Sequence, residues 1–346
     1  MENTTTFRLS ILRNSTQPPS SYDSKEKQIL YIFSIIIFSL TFLLGTSGNG
    51  LVIWITTLKM KKTVNVMWHL NLATSDFIFT LFLPFTIANT ALNHHWPLGR
   101  YMCKLNTMLI NLNLYASVLQ LTVISIDRCI SIVYPVWCRN HRTPRLASFV
   151  VLAIWILALV FSSPFFIFRD THSFNTKKTY CIYKFDGDNL RSEVASSREM
   201  GLLVTRFIIT FFIPFTIIVS CCIIIMFRIQ RNNMAKTSKP FKIIVAVIIS
   251  FFVCWFPYQV FALLAMSVKR TKDNCLKHVI AVGYPLARSL MYINSCINPI
   301  LYVFVGQNFK EKFWRSIHSV FENAFVEEYT KSYCGVENVI VASSNV

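Results

Sequence analysis

Residues 201–227 have the sequence GLLVTRFIITFFIPFTIIVSCCIIIMF, in which Arg206 is the only charged residue. An α-helix needs about 20 mostly apolar residues to cross the hydrocarbon core of a bilayer, so this stretch is long enough to span a membrane. Six other stretches have the same character. The seven predicted spans cover residues 29–57, 64–92, 101–134, 146–168, 201–227, 241–267 and 277–305. The sequence therefore predicts an all-α membrane protein, a bundle of seven transmembrane helices.

The composition of the 346-residue chain agrees with this prediction, because 53% of its residues are hydrophobic and only 14% are charged. Soluble domains carry about a quarter charged residues. The net charge of +18 would suit nucleic-acid binding if the basic residues formed one surface. They gather instead in the short connectors 58–63, 135–145 and 228–240, which is typical of cytoplasmic loops. We therefore expect no nucleic-acid partner, a cytoplasmic C-terminus and an extracellular N-terminus.

The polar segments outside the spans complete the predicted organisation. Residues 1–28 form an extracellular segment with glycosylation sequons at Asn3 and Asn14. Residues 29–305 form the transmembrane domain. Residues 306–320 place apolar side chains on one helical face and basic ones largely off it, which predicts a short amphipathic eighth helix on the inner membrane surface. Residues 321–346 form a cytoplasmic tail.

Three of the ten cysteines, Cys103, Cys181 and Cys275, fall on the extracellular side, where disulfides form. Cys103 opens the third span, and Cys181 lies in the loop between the fourth and fifth. A disulfide between them would hold that loop over the outer end of the bundle. The N-terminal segment has no cysteine to pair with Cys275, which we expect to remain a thiol.

Polar side chains inside the spans are costly to bury and are usually functional. Asp76 is the only acid well inside the hydrocarbon zone, where a carboxylate must be protonated, paired or bound to a cation. Polar side chains of this kind can supply oxygen ligands to a sodium ion, or they can form hydrogen bonds between helices. The candidate sodium ligands are Asp76, Asn113, Ser117 and Asn294. We expect no other cofactor.

Enzymes and transporters are less favoured classes. The sequence contains neither a phosphate-binding glycine loop nor a His-Glu-x-x-His pair, so we expect no catalysis. A secondary transporter would show paired repeats and helices interrupted by glycine or proline, and none is visible.

Each of the seven spans carries a short motif. In chain order these are Gly48-Asn49-Gly50, Leu72-Ala73-x-x-Asp76, Asp127-Arg128-Cys129, Trp155, Pro214, Cys254-Trp255-Phe256-Pro257 and Asn298-Pro299-x-x-Tyr302. With these motifs in this order, residues 28–320 resemble the class A, or rhodopsin-like, G-protein-coupled receptors. The resemblance implies a plasma-membrane receptor that activates a heterotrimeric G protein and meets arrestin and receptor kinases through its C-terminal tail.

A second set of motifs is similar to the chemoattractant branch, which includes the formyl-peptide, chemerin and complement-anaphylatoxin receptors. The set includes Ile126-Asp127-Arg128-Cys129-Ile130-Ser131, Pro135-Val136-Trp137, Asn140-His141-Arg142-Thr143, Phe168-Arg169-Asp170-Thr171 and Lys239-Pro240-Phe241-Lys242. This resemblance implies coupling to a Gi-type G protein. A non-signalling decoy receptor of the same fold is the alternative, because Cys222 stands where the family commonly has a tyrosine.

The class A resemblance also implies a switching mechanism. Asp127 pairs with Arg128 in the resting receptor, and activation releases Arg128 towards the G protein. Trp255 lies under the ligand, and Pro257 weakens the sixth span so that its inner half can swing outward. Tyr302 then turns inward and helps to hold the opened state. The predicted switch residues are Asp127, Arg128, Trp255, Pro257, Asn298, Pro299 and Tyr302.

Two arginines suggest the chemistry of the ligand. Arg206 lies eight residues before Pro214 and Arg288 eleven before Pro299, which places them about 12 and 16 Å outward of those prolines. Formyl-peptide receptors carry an arginine at the position of Arg206, and their partner acid corresponds here to Asn111. Two arginines suit an anionic lipid or a peptide carboxylate, although either could instead extend to outer lipid headgroups. The candidate ligand-binding residues are Arg206, Arg288, Asn111, Tyr258 and Trp255.

Overall fold

The computed structural model describes residues 21–173, 178–186, 192–231, 238–267 and 274–305. Several predictions concern residues outside these ranges: the sequons at Asn3 and Asn14, the amphipathic helix at 306–320 and the tail at 321–346. The side chain of Tyr302 also lies outside the described part, although its backbone belongs to the last described helix.

Ten α-helices and one β-hairpin make up the described chain. The first three spans are α1 (Ser21–Leu58), α2 (Val64–Leu81) with α3 (Leu83–Ala91), and α4 (Gly99–Val133). The short α5 (Pro135–His141) precedes the fourth span, α6 (Pro144–Ile167). The fifth span consists of α7 (Glu193–Phe207), a π-helical turn (Ile208–Phe212) and α8 (Ile213–Arg231). The sixth and seventh spans are α9 (Ser238–Ser267) and α10 (Asn274–Val305).

These helices form the predicted seven-span bundle. Among the described residues, six spans are long and apolar enough to cross a membrane. The seventh, α10, has 32 residues and packs against α1 and α9, so it closes the bundle. Helices α1 and α7 begin eight residues before the predicted spans. Hydropathy identifies only the part of a helix that lies in hydrocarbon, and these helices continue beyond it.

The side chains are distributed as expected for a protein surrounded by lipid. Phe149, Phe212 and Phe227 are more than 60% exposed on the outside of the bundle, whereas Asn49 and Asp76 are fully buried inside it. Lipid solvates apolar side chains as well as the core does, so polar contacts and close packing hold the helices together. A Cβ atom on Gly45 would lie 2.6 Å from Thr80 Cγ2, which shows how closely α1 approaches α2.

A β-hairpin is joined to the outer end of the bundle. Strands β1 (Arg169–Ser173) and β2 (Thr179–Tyr183) pair antiparallel, with Thr171 opposite Cys181. A disulfide links Cys181 to Cys103 near the start of α4, as the sequence predicted, and Cys275 remains a thiol. The disulfide ties the hairpin to the third span beside the outer ends of the helices.

Candidate ligand site and intracellular switch

Arg206 is one of the deeply buried residues among those predicted to bind the ligand. It lies in the last turn of α7 with 3% of its surface exposed. Its Nε donates to Gln259 Oε1 at 3.0 Å, and Gln259 Nε2 donates in turn to Thr210 Oγ1 at 2.8 Å. The described hydrogen bonds use only Nε and leave the two terminal nitrogens available to a ligand. No carboxylate among the described residues forms an ion pair with Arg206.

The π-helical turn explains how the fifth span presents these polar groups. A π turn contains one residue more than an α turn, so it rotates the residues that follow it relative to those that precede it. Thr210 lies within the turn and donates to the carbonyl of Arg206 at 2.8 Å. The sequence analysis missed both Thr210 and Gln259. Gln259 could have been found as a polar residue inside the apolar run of the sixth span.

Arg288 in α10 is partly buried among aromatic rings. Its guanidinium lies 5.8 Å from the centre of the Phe38 ring and 5.7 Å from that of Tyr292, and Nη2 is 3.4 Å from the Tyr292 hydroxyl. Arg288 also interacts electrostatically with Tyr258 and Tyr284. These contacts place it inside the bundle rather than among the lipid headgroups.

Tyr258 connects the two arginines. The guanidinium of Arg206 lies 5.4 Å from the centre of its ring, and the Tyr284 ring beside Arg288 lies 5.6 Å from it. Trp255 packs edge-on against Tyr258 at 6.3 Å, one helical turn deeper. The structure therefore brings four predicted ligand residues into one region. The fifth, Asn111, donates to the Thr107 carbonyl of its own helix instead, and its Oδ1 has no hydrogen-bond partner within the described chain.

Asp76 is the centre of a polar cluster deeper in the bundle. Its Oδ1 accepts hydrogen bonds from Asn113 Nδ2 at 3.0 Å and Ser295 Oγ at 2.9 Å, and its Oδ2 accepts one from Asn298 Nδ2 at 2.8 Å. Asn49 donates to the Ser295 carbonyl at 2.8 Å. These contacts join α1, α2, α4 and α10, so the cluster links four helices whatever else it binds.

The cluster also has atoms that fit a sodium ion. The side-chain oxygens of Asn113 and Asn298 are buried and have no hydrogen-bond partner in the described part of the chain. Together with the Asp76 carboxylate and the Ser117 hydroxyl they offer the hard oxygen ligands that such a cation prefers. Asn294 fits less well than predicted, because its Oδ1 accepts a hydrogen bond from Trp255 Nε1 at 3.3 Å. We therefore propose Asp76, Asn113, Ser117 and Asn298 as sodium ligands, with Asn298 replacing Asn294.

Replacing Asp76 with asparagine is expected to remove stabilisation by sodium, because it deletes the one charge of the cluster while keeping its shape. Purified receptor should melt a few degrees higher in sodium chloride than in potassium chloride, since a ligand at ten times its Kd stabilises by about 1.4 kcal/mol. The variant should melt at the same temperature in both salts. A sodium-specific shift that survives in the variant would mean that the cluster only links helices.

The predicted pair Asp127 and Arg128 is arranged differently from the expectation. The Arg128 Nε lies 4.0 Å from Asp127 Oδ2, at the limit of an ion pair. Arg142, at the end of α5, binds Asp127 with two nitrogens instead, Nε to Oδ1 at 2.7 Å and Nη2 to Oδ2 at 2.8 Å. These hydrogen bonds raise the pKa of Arg142 above its ordinary value, so this arginine stays charged. The closest partner of Asp127 is therefore a residue of the second cytoplasmic connector.

Asn65, near the start of α2, completes this inner cluster. Its Oδ1 accepts hydrogen bonds from Nη2 of both Arg128 and Arg142. The Arg128 Nε is buried and has no hydrogen-bond partner within the described residues. The sequence analysis placed Arg142 in a basic connector and in a motif of the chemoattractant branch, but assigned it no role in the switch, and it passed over Asn65. Their positions along the chain gave no sign that they meet.

Three other predicted switch residues, Trp255, Pro257 and Pro299, lie within the sixth and seventh spans. Pro257 is inside α9 and Pro299 inside α10, where each removes one backbone hydrogen bond. Trp255 packs between Tyr258 on its outer side and Phe251 on its inner side. It therefore touches the region around the arginines and, through Asn294, the helix that carries Asn298.

Comparison with known proteins agrees with the seven-span fold. Residues 48–302 match the model of the 7 transmembrane receptor (rhodopsin family). The chain is 45% identical to chemerin-like receptor 1 of Rattus norvegicus over 313 residues, which cover 88% of this chain and 83% of the relative. It is 42% identical to N-formyl peptide receptor 3 of Homo sapiens over 304 residues, which cover 86% of each.

These relatives are receptors and not enzymes, and they are similar to this chain over nearly all of its length. The match confirms the predicted chemoattractant-type receptor, a multi-pass protein of the plasma membrane. Its N-terminus is extracellular and its C-terminus cytoplasmic. This chain belongs to the rhodopsin family of seven-transmembrane, G-protein-coupled receptors.

Proposed function

We propose that this receptor binds a small ligand with an anionic end and signals through a Gi-type G protein. The anionic end is a carboxylate, carried either by an acidic lipid or by the C-terminus of a short peptide. The observation that carries the proposal is the buried guanidinium of Arg206, which has no acidic partner among the described residues. The second arginine, Arg288, contacts the Tyr292 hydroxyl and interacts electrostatically with Tyr258.

A buried unpaired cation is energetically costly, and a ligand carboxylate would offset that cost with two parallel charge-assisted hydrogen bonds. Arg206 has two terminal nitrogens for such a contact, and Gln259 holds its Nε in place. The ring of Tyr258 lies 5.4 Å from the Arg206 guanidinium, beside the proposed carboxylate contact. The surrounding rings of Phe165, Tyr258 and Tyr284 suit an apolar body attached to the charged group.

The names of the relatives also suggest a peptide-type ligand. One relative is a receptor for N-formyl peptides and the other is a chemerin-like receptor. Formyl-methionine recognition is not carried over, because Asn111 replaces the acid of the formyl-peptide receptors and donates to its own helix. A carboxylate needs no acidic partner in the third span, which is why we prefer it.

The inner face supports a protein partner. Tyr134, Val136 and Trp137 are 63%, 76% and 51% exposed at the second cytoplasmic connector. They line a shallow groove that reaches His141. Exposed apolar side chains on a cytoplasmic surface indicate a site for another protein. The partner is therefore expected to present apolar side chains to the groove, as the C-terminal helix of a Gi-type α subunit would.

The ligand proposal is tested with paired compounds that differ only in charge. Cells expressing the receptor receive short peptides with a free or an amidated C-terminus, and fatty acids or their methyl esters. The free acid is expected to be active and its neutral partner about a hundredfold weaker, because a buried arginine loses a charged acceptor. Activity confined to peptides or to lipids identifies the source. Equal potency of acid and neutral partner would rule out the carboxylate.

Pertussis toxin tests the coupling. An active acid should lower cyclic AMP in untreated cells and have no effect after the toxin, which disables Gi. A response that persists after the toxin would assign a different G protein. Binding of the acid without any G-protein response would favour the decoy alternative, which the replacement of the usual tyrosine by Cys222 keeps open.

A further inference from the structure

We propose that Arg142 is a positioning residue of the switch, which competes with Arg128 for the acceptors Asp127 and Asn65 and so weakens the hold on Arg128. The proposal rests on the proposed function only in treating release of Arg128 as the step that admits the G protein. Arg142 thereby makes the second cytoplasmic connector a part of the switch.

The geometry of the inner cluster shows the competition directly. Arg142 occupies both oxygens of Asp127, and it also donates to Asn65 Oδ1. Among the described residues, the Arg128 side chain retains only the hydrogen bond to Asn65 and a 4.0 Å approach to Asp127. Its Nε is left buried and without a hydrogen-bond partner within the described chain. The two arginines therefore share the acceptors Asp127 and Asn65, and Arg142 makes more hydrogen bonds to them than Arg128 does.

The contacts and charges of the inner cluster favour the pairing of Arg142 with Asp127. Arg142 reaches Asp127 from the connector, with 24% of its side chain exposed, whereas the side chain of Arg128 is 18% exposed and that of Asp127 is 12% exposed. A bidentate pair between arginine and carboxylate is stronger than a single contact at 4.0 Å. The two guanidinium groups also repel one another across Asn65, which destabilises the contact that keeps Arg128 in place.

The consequence has a definite sign. Removing Arg142 frees Asp127 and Asn65 for Arg128, so Arg128 should be held more tightly and activation should fall. If Arg142 merely supported the fold of the connector, its loss would loosen the inner face instead. Removing Asn65 should have the opposite effect on activation, because it deletes the side-chain hydrogen bond that holds Arg128 among the described residues.

The test uses the full-length receptor in cells and measures ligand-independent activation of Gα subunits from every family, at matched surface expression. Arg142→Ala is expected to lower activation about five- to tenfold, and Arg142→Lys less, because lysine keeps the charge but makes one contact. Asn65→Ala is expected to raise it. Arg139→Ala is the matched control, since it removes the same charge from an exposed position of the same connector and should change nothing.

A double-mutant cycle separates positioning from structure. In receptor that carries Asp127→Asn, the acceptor for which the arginines compete has lost its charge, so adding Arg142→Ala should have little further effect on activation. The same cycle is also measured as melting temperatures of purified receptor. These report the Arg142–Asp127 contact independently of signalling. Additive melting effects would overturn the Arg142–Asp127 contact. Unchanged or increased activation in Arg142→Ala would overturn the competition.

The outcomes also distinguish this proposal from the Gi assignment. If another Gα family responds and the variants shift it as expected, the Gi assignment fails and the role of Arg142 stands. If no Gα subunit responds in the wild type, the receptor does not signal, and the role of Arg142 in a signalling switch fails with it, even where the melting cycle confirms the pair.

Discussion

Replacing Arg128 with alanine is expected to abolish G-protein activation while the receptor still reaches the cell surface and binds its ligand. Arg128 is the only arginine at the inner end of α4, and the inner cluster holds it next to Asp127. The loss is expected from the contact that the released Arg128 makes with the G protein, because truncating one partner of a buried, hydrogen-bonded contact at an interface costs about 2–5 kcal/mol. At 1.4 kcal/mol for each factor of ten, activation should fall by about 30- to several thousand-fold.

The control for this result is Arg145→Ala, which removes an exposed cation from the same face of the protein. It should leave signalling within about twofold of the wild type, because exposed charges contribute little. Activation is measured as G-protein dissociation at matched surface expression, together with binding of an active acid. Full signalling in Arg128→Ala would mean that the G protein docks without this residue, and the switch would have to be assigned elsewhere.

Replacing Arg206 with alanine is expected to produce the largest change in ligand affinity. The buried guanidinium is proposed to bind the ligand carboxylate, and losing such a contact costs about 2–5 kcal/mol. The Kd for an active acid should therefore rise by about 30- to several thousand-fold. Arg206→Lys should recover part of the loss, because lysine keeps the charge but cannot bind both carboxylate oxygens in a fork.

Comparison of acid and neutral ligand makes this test specific. The wild type should prefer the free acid, whereas Arg206→Ala should bind acid and amide or ester almost equally, since the charged partner is gone. Arg198→Ala serves as control, because Arg198 lies in the same helix and donates to the Phe185 carbonyl. A preference for the acid that persists in Arg206→Ala would transfer the anion site to Arg288.

Sequence alone was enough to predict the bundle. A lipid environment requires each span to satisfy its own backbone hydrogen bonds, so a run of apolar residues folds as a helix almost irrespective of its neighbours. The sidedness of the connectors followed from their lysines and arginines, and it led to the disulfide between Cys103 and Cys181 that the structure contains. These are local properties, and the residues concerned can be recognised one segment at a time.

The polar contacts inside the bundle depended on packing between distant segments. Sequence analysis identified Asp76 and Asn298 but could not show that Asn298 Nδ2 lies 2.8 Å from the carboxylate, although the two residues are 222 positions apart along the chain. It likewise selected Asn294, whose oxygen is already used by Trp255. A polar residue in an apolar span must have a partner, but the sequence does not specify which one.

The sequence by itself determined the seven spans, their orientation and the receptor family, because hydropathy, charge and motif order act along the chain. Only the tertiary structure decided which groups share each charge. It placed Gln259 against Arg206, and it paired Asp127 with Arg142 rather than with its neighbour Arg128. The physical reason is geometric. Adjacent residues of a helix point about 100° apart, so Arg128 reaches Asp127 less directly than an arginine from another segment, which can approach both carboxylate oxygens at once.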